Sequence, residues 1–291
     1  MYSRCELCER RCRVARNKGQ IGYCKMTDEI RISRAALHFW EEPPISGERG
    51  SGTVFFAGCS LGCIYCQNRE ISSGGCGTAV SCERLGEICL ELQAQGAHNI
   101  NFVTPTHYAP SIVEAVRIGR ANGLNVPIVY NTGTYDTEST IDMLKDTVDV
   151  WLPDLKYYRN KTALEYSNAQ DLPELSRRAI DRMVTYAGAP VIDGEGIMRR
   201  GVIVRILLLP SHLAEAKLNL KYLYSRYGNN IYISLMSQYT PMPGMKPPLN
   251  RRVGAAEYGE LVDYAQRLGV EQAFVQDMTS AGECFIPSFD L

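Results

Sequence analysis

Cysteines are the residues of this chain whose spacing points most directly to chemistry. Cys59, Cys63 and Cys66 stand in a C-x3-C-x2-C pattern. They follow residues 53–57, a run of β-branched and aromatic side chains that predicts a buried strand. The three thiols therefore lie on a loop at the carboxyl end of a strand, where α/β folds build their sites.

Three thiolates on one short loop can hold three corners of a [4Fe–4S] cluster and leave one iron open. A structural zinc site normally takes four protein ligands, so zinc is the weaker interpretation of this loop. Gly58 and Gly62 allow the turns that such a loop needs. The alternative without metal is three reduced, buried cysteines that only pack.

A second set, Cys5, Cys8, Cys12 and Cys24, has the spacing C-x2-C-x3-C-x11-C. Residues 1–24 otherwise offer little apolar material for a core. Structural zinc or a closed [4Fe–4S] cluster would hold such a segment together, and the spacing leaves both open. Free thiols in an unstructured leader are the remaining alternative.

Composition narrows the class of protein. The 291 residues are 45% hydrophobic and 22% charged, with a formal net charge of −1. Such a chain is typical of a soluble globular protein and has no overall attraction for nucleic acid or an anionic membrane. We find no apolar run of the ~20 residues that a membrane span needs and no signal-peptide core. Eleven cysteines without a secretion signal predict a reduced, cytoplasmic location rather than a disulfide framework.

From residue 53 onwards, predicted strands alternate with predicted helices. This alternation predicts a parallel sheet with right-handed crossovers, in an α/β fold. We divide the chain into a cysteine-rich segment and connector, residues 1–52, and a barrel-like domain with a C-terminal extension, residues 53–291. Residues 188–200 predict a hairpin, and residues 241–248, rich in Pro and Met, predict a lid or substrate loop.

Polar residues follow the predicted parallel strands at their carboxyl ends, which meet on one face of the sheet. We expect that face to bind a polar cofactor. The candidate binding residues are Thr104, Thr106, Asn131, Thr132, Asp154 and Arg205. His107 and Cys284 are weaker candidates for contact with a substrate, since a packed histidine or an inert lone cysteine is at least as common.

The cysteine loop also resembles a known signature. Cys59-x3-Cys63-x2-Cys66, with Tyr65 before the last cysteine, resembles the signature of radical S-adenosylmethionine enzymes. Gln67 and Asn68 resemble the pyruvate formate-lyase activating enzyme branch, and further stretches are similar to a group named after that enzyme. These stretches are residues 36–43, 96–101, 103–108, 234–239 and 285–287.

The resemblance implies a partial (β/α)6 TIM-like barrel of the radical S-adenosylmethionine type. It implies a [4Fe–4S] cluster on Cys59, Cys63 and Cys66 whose open iron chelates S-adenosylmethionine. Reductive cleavage of that cofactor then gives methionine and a 5′-deoxyadenosyl radical, which abstracts hydrogen from a substrate. Cysteine-rich N-termini also occur in the group, and they leave the choice between zinc and a cluster open.

The resemblance implies roles for the polar residues as well. Thr104 and Thr106 stand where the superfamily has a Gly-Gly-Glu run that holds the amino group. Asn131 and Thr132 resemble the position that holds ribose hydroxyls, and Asp154 stands in an Asp-Leu-Lys run typical of the activating enzymes. Arg205 fits a carboxylate clamp on the methionine moiety.

Three functions remain open from the sequence. The first is an activase that installs a glycyl radical on a partner enzyme, with a flavodoxin or ferredoxin as electron donor by analogy. The second is a radical enzyme acting on a small molecule or peptide. The third is a non-catalytic iron–sulfur or zinc protein.

Overall fold

The computed structural model describes residues 1–74 and 76–276, and these ranges contain ten strands and nine α-helices. The strands are β1 (Ile30–His38), β2 (Ser51–Phe56), β3 (Thr78–Val80), β4 (Ile100–Val103), β5 (Ile128–Thr132), β6 (Val150–Pro153), β7 (Val191–Ile192), β8 (Met198–Leu207), β9 (Tyr232–Met236) and β10 (Ala273–Val275). The helices are α1 (Pro43–Ser46), α2 (Arg69–Gly74), α3 (Cys82–Ala94), α4 (Ala109–Ala121), α5 (Glu138–Leu144), α6 (Asn160–Ser167), α7 (Leu172–Ala187), α8 (Leu213–Tyr227) and α9 (Ala255–Leu268).

One sheet joins the strands in the order β10-β9-β8-β6-β5-β4-β2-β1-β3, and β7 pairs with β8. Strands β2, β4, β5, β6, β8, β9 and β10 run parallel, and β1 lies antiparallel beside β2. Strands β10 and β3 end the described order, so the sheet is not closed. The predicted α/β fold is confirmed, and the open parallel sheet is consistent with a partial TIM-like barrel.

The helices follow the predicted patterns because their apolar faces pack on this sheet. In α3, the Ser81 side chain caps the first turn by accepting from the Arg84 amide, at 3.2 Å. Leu85, Cys89 and Leu92 recur on one face and are buried. Cys89 is therefore a core residue, as its position in the pattern predicted.

Several short elements escaped the sequence analysis. Strand β1 ends at His38, and Pro43 and Pro44 begin the four-residue helix α1, where a missing amide donor carries no penalty. Helices α2 and α6 and strand β3 were not predicted, because eight residues or fewer carry too little periodicity. The predicted hairpin at residues 188–200 is confirmed by β7 and the start of β8.

The predicted division at residue 52 stays a prediction. Strand β1, which precedes it, is hydrogen-bonded along its length to β2, so the structure continues across that boundary. Residues 1–26 contain one turn of 3-10 helix, Arg16–Lys18, and no strand. Among the helices described here, none has the length and apolar character that crossing a membrane requires.

Candidate active site

The sheet register brings the predicted polar residues to one level. Phe55 of β2 lies opposite Val103 of β4, and Val103 lies opposite Asn131 of β5. On the other side of β6, Asp154 forms a bridge with Arg205, which pairs with Ser234 of β9. The carboxyl ends of these strands therefore open into one cavity of about 730 Å³. That volume lies within the roughly 300–1,000 Å³ of small-molecule and cofactor sites.

Cys59, Cys63 and Cys66 all line this cavity, on the loop between β2 and α2. Each sulfur has a polar neighbour, in addition to the nearby thiols. The Leu61 amide donates to Cys59 Sγ at 3.4 Å, Cys63 Sγ lies 2.9 Å from Ser167 Oγ, and Ser72 Oγ donates to Cys66 Sγ at 3.5 Å. Burial raises the pKa of all three thiols, and a bound metal would favour their thiolate form.

A partly buried ionic network forms the floor of the cavity. Arg205 Nε donates to Asp154 Oδ1 at 2.7 Å, its Nη1 lies 3.3 Å from Glu41 Oε2, and its Nη2 donates to Asn131 Oδ1. Lys156 Nζ donates to the other oxygen of Asp154 at 2.7 Å. Although burial opposes ionisation, Arg205 and then Lys156 hold the pKa of Asp154 below its usual value.

This network changes the role expected for Arg205. Its N–H groups already donate hydrogen bonds to Asp154, Glu41 and Asn131. The guanidinium therefore fixes those side chains and is not free to bind the cofactor's carboxylate. Lys156 is the cation nearer the cysteine loop: although burial lowers its pKa, Asp154 and Cys63 raise it, and on balance it is raised. Lys156 stands in the same Asp-Leu-Lys run as Asp154, but it was not among the residues predicted to bind the cofactor.

Glu41 and Glu42 were also missed, because two adjacent glutamates before a proline pair resemble a surface turn. Both line the cavity. Glu41 Oε1 accepts from the side-chain amides of Asn101 and Asn131, at 3.1 and 3.2 Å. Glu42 Oε2 is buried without a hydrogen-bond partner, and burial raises the pKa of Glu42 to about 7. Their sequence signals were the stretch 36–43, which resembles the family and contains both, and the strand β1 that precedes them.

The two threonines after β4 both line the cavity. Thr104 has a φ of 56°, in the left-handed region that a β-branched residue rarely adopts. Its amide donates to the Asn131 carbonyl at 3.0 Å, which holds the strained turn against β5. Backbone strain of this kind clusters at ligand sites, and here it stands where the superfamily resemblance places a glycine.

Two predicted residues lie behind the cavity wall. The Thr132 hydroxyl donates to Asp136 Oδ2 at 2.6 Å, so it braces the loop after β5. His107 is buried, its Nε2 is 2.7 Å from the Ala57 carbonyl oxygen, and burial followed by Arg16 lowers its pKa to about 3. Neither residue is among those that line the cavity. Cys284 lies outside the described residues, as does the stretch 285–287.

The donor set fits an iron–sulfur cluster with one open iron. Three thiols face the cavity together with a lysine, an ionic floor and space for a second ligand. Across residues 1–74 and 76–276, no three His, Cys, Asp or Glu side chains are gathered where a single metal ion could bind, and a four-iron cluster is wider than an ion. When bound, the cluster supplies one electron to S-adenosylmethionine.

The side chains of this chain then have definable tasks. Cys59, Cys63 and Cys66 would hold the cluster. Lys156 places positive charge beside it and has ammonium protons beyond the one that bonds Asp154. Asp154, fixed from two sides, presents an ionised carboxylate in a set orientation, while Thr104 and Asn131 line the space between floor and loop.

The second cysteine set is gathered outside this cavity. Burial, and to a lesser extent the thiols of Cys24, Cys12 and Cys5, raise the pKa of Cys8 to about 12. The four thiols thus interact electrostatically, although no three of them are gathered where a single metal ion could bind in the described structure. A metal at these residues stays a prediction.

Comparisons with known proteins agree with this site. Residues 53–196 match the family model described as the Radical SAM superfamily. An uncharacterised protein of Methanocaldococcus jannaschii is 26% identical over 282 residues, which are 93% of this chain and 77% of that protein.

Two solved structures share the fold. SuiB of Streptococcus suis, bound to S-adenosylmethionine, is 11% identical with a TM-score of 0.52, over 77% of this chain and 49% of SuiB. The FeFe-hydrogenase maturase HydG of Carboxydothermus hydrogenoformans is 14% identical with a TM-score of 0.52, over 75% of this chain and 50% of HydG. The chain thus matches about half the length of each of these structures. Residues 53–196, which include the three signature cysteines that line the cavity, thus match the radical S-adenosylmethionine superfamily.

Proposed function

We propose that this chain is a radical S-adenosylmethionine enzyme that abstracts hydrogen from a polypeptide, with a glycine of a partner enzyme as the target. Cys59, Cys63 and Cys66 would hold the cluster, which would supply the one electron that breaks the bond between the sulfonium and C5′. The products are methionine and a 5′-deoxyadenosyl radical. That radical takes a hydrogen atom from the glycine Cα, so that 5′-deoxyadenosine forms and the unpaired electron moves to the polypeptide.

The residues at the open side of the sheet are the reason for proposing a polypeptide as the substrate. Residues from both parts of the open sheet line the same cavity: Phe39 and Trp40 follow β1, and Val275 ends β10. All three are exposed, Trp40 to 60% and Phe39 to 48%. Exposed aromatic side chains at the rim of a polar cavity are typical of surfaces that bind protein.

The loop predicted as a lid supports the same choice. Gly244–Leu249 of this loop line a second pocket, of about 510 Å³, against Gly62, Cys63 and Ile64. None of the loop residues 241–249 is among those that line the main cavity. A lid on a small-molecule site would cover the cavity. Within the described residues, this loop instead lies on the other side of the cysteine loop.

The test uses anaerobically reconstituted protein, dithionite and S-adenosylmethionine. Extract of the source organism is divided by ultrafiltration into macromolecular and small-molecule fractions. We expect the macromolecular fraction to raise 5′-deoxyadenosine formation and to yield a persistent glycyl doublet in the electron paramagnetic resonance spectrum. The Cys59→Ala/Cys63→Ala/Cys66→Ala variant is the control for both signals.

Other outcomes separate the alternatives. Stimulation by the small-molecule fraction alone would replace the polypeptide with a small substrate. Stimulation by macromolecules without a glycyl doublet would keep a polypeptide but not a stable glycyl radical. No 5′-deoxyadenosine from protein with a reducible cluster would refute radical chemistry altogether.

The aromatic rim offers a matched variant. Phe39→Ala/Trp40→Ala removes the exposed rings without touching the cluster or the ionic floor. We expect it to lose stimulation by the macromolecular fraction and to keep the slow cleavage of S-adenosylmethionine that occurs without substrate. Equal stimulation of variant and wild type would show that the rim does not bind the substrate.

A further inference from the structure

The N-terminal segment holds its four cysteines in a strained backbone. Among the described residues, seven other than glycine have a positive φ, and three of these flank the cysteines. Arg11 (43°) and Arg13 (58°) stand on either side of Cys12, and Lys25 (62°) follows Cys24. Each such residue costs about 1–2 kcal/mol. The strained positions lie beside the cysteines, so a metal bound to the thiols would offset their cost where it arises.

A buried arginine without an acidic partner lies beside these thiols. Arg16 is fully buried, and among the described residues no carboxylate lies within ion-pair distance of it. Its guanidinium donates to the carbonyls of Met26, Thr27 and His107, and Nη1 lies 3.8 Å from Cys5 Sγ.

A guanidinium is always charged, and burying its charge without an anion is unfavourable. Four protonated thiols provide no negative charge. A metal held by four thiolates, whether zinc or a [4Fe–4S] cluster, carries a net negative charge next to Cys5 Sγ. The unpaired arginine therefore points to a metal–thiolate centre at these cysteines.

The same segment also forms hydrogen bonds to the loop that carries Cys59, Cys63 and Cys66. Arg10, between Cys8 and Cys12, donates from Nε to the Ser60 carbonyl at 2.9 Å and from Nη2 to the Leu61 carbonyl at 3.1 Å. Its guanidinium lies 3.9 Å from the centre of the Tyr23 ring, and the Tyr23 hydroxyl also donates to the Leu61 carbonyl.

A second contact joins the two cysteine sets directly. Gly58, which precedes Cys59, packs so closely on the N-terminal segment that a Cβ there would lie 2.7 Å from the Cys24 carbonyl oxygen. The backbone around Cys24 and the backbone around Cys59 thus form one packed unit. A change of conformation in one moves the other.

We propose that Cys5, Cys8, Cys12 and Cys24 bind a second metal centre, and that this centre fixes the loop that carries Cys59, Cys63 and Cys66. In the described structure the four sulfurs are not closed around a point for a single ion, as is also true of Cys59, Cys63 and Cys66. The centre keeps Arg10 in place, and Arg10 is a positioning residue for the cluster loop. This proposal does not depend on the substrate.

The first experiment measures metal in the absence of the radical cluster. The Cys59→Ala/Cys63→Ala/Cys66→Ala variant is purified anaerobically, reconstituted with iron and sulfide or with zinc, and analysed for both metals and sulfide. We expect stoichiometric metal that is lost when Cys8→Ser and Cys24→Ser are added. Iron with sulfide identifies a cluster, and zinc alone identifies a zinc site.

Cys76→Ser in the same background is the control, because Cys76 is an exposed thiol outside both sets. It should retain the metal. If the triple alanine variant holds no more metal than the variant that also lacks Cys8 and Cys24, the metal site is refuted.

The second experiment tests the coupling in the full chain. Hydrogen–deuterium exchange is followed in peptides covering residues 58–66 and in peptides of α9, which lies away from the segment. We expect Cys8→Ser/Cys24→Ser to speed exchange in 58–66 and to leave α9 unchanged. Faster exchange everywhere would show general unfolding, and unchanged exchange in 58–66 would refute the coupling.

Arg10→Ala tests the coupling without removing a thiol. The electron paramagnetic resonance spectrum of the reduced cluster, with and without S-adenosylmethionine, should shift in this variant while the N-terminal metal remains. Arg11→Ala, which removes an exposed side chain that pairs with Glu9, is the matched control. An Arg10→Ala spectrum identical to the wild type would refute the positioning role.

Discussion

Replacing Glu42 with glutamine removes a titratable carboxyl from the cavity floor and keeps its shape. In the folded chain, burial raises the pKa of Glu42 from 4.5 to about 7, although Arg205 acts in the opposite direction. Glutamine resembles the protonated carboxyl, so the substitution mimics the low-pH form at every pH. The pH dependence of stability should therefore report this single group.

The sign follows from proton binding. Between pH 4.5 and 7 the folded chain keeps a proton on Glu42 that the unfolded chain has released, so the contribution of Glu42 to stability falls as the pH rises through this window. The gap between the two pKa values corresponds to about 3 kcal/mol. Relative to the wild type, Glu42→Gln should thus gain about 3 kcal/mol of unfolding free energy between pH 5 and pH 8.

The assay is anaerobic urea unfolding of both proteins at pH 5, 6, 7 and 8. Other groups that titrate in this range, such as His107, contribute equally to the unfolding free energies of both proteins. Their contributions therefore cancel in the difference between the two. Glu48→Gln, which changes an exposed glutamate on the loop after α1, should show the pH dependence of the wild type. An unfolding free energy of Glu42→Gln that runs parallel to the wild type from pH 5 to pH 8 would refute the reasoning.

Three further predictions concern the same neighbourhood. Arg205→Met leaves Asp154 and Glu41 buried without their shared cation, so the unfolding free energy at pH 7 should fall by about 3–5 kcal/mol; a loss below about 1 kcal/mol would contradict the network. Lys156→Met should weaken S-adenosylmethionine binding by roughly ten- to a hundredfold, the value of a charge-assisted hydrogen bond, whereas Lys161→Met on the exposed side of α6 should leave the dissociation constant unchanged. Because burial lowers the pKa of His107 to about 3, the folded chain loses stability as the pH falls below 6.5, and His107→Gln should flatten that loss between pH 6 and pH 4 in the same unfolding assay.

The parallel sheet and its main helices could be predicted from the sequence because each contains a full period of its pattern. Strand β2 is a continuous buried run, and α3 shows its cap, its apolar face and its stop. The cysteine loop was predictable for a different reason: three ligands within eight residues define their own geometry. Local sequence was sufficient wherever the interaction itself was local.

The ionic floor could not be predicted, because its members come from four separate segments. Arg205 was predicted to clamp the cofactor's carboxylate, but its partners in the structure lie 51 and 164 residues away along the chain. Glu41 and Glu42 looked like a surface turn before two prolines. The antiparallel pairing of β1 with β2 places them at the floor of the cavity, and this pairing is part of the tertiary structure, which local sequence does not encode.

The division of the chain into a cysteine segment and a barrel hid the most informative contacts. Viewed separately, residues 1–26 have little core and the loop at residues 57–66 has little regular structure. Together they are complementary: Arg10 satisfies carbonyls of the loop, and Gly58 makes room for the Cys24 carbonyl. A glycine at residue 58 is thus required by packing as well as by its φ of 84°, since any side chain would collide with Met26 and Cys24. The geometry of the radical site therefore depends on a segment that precedes the family domain, and a chain trimmed to residues 53–196 should not hold its cluster loop in the native conformation.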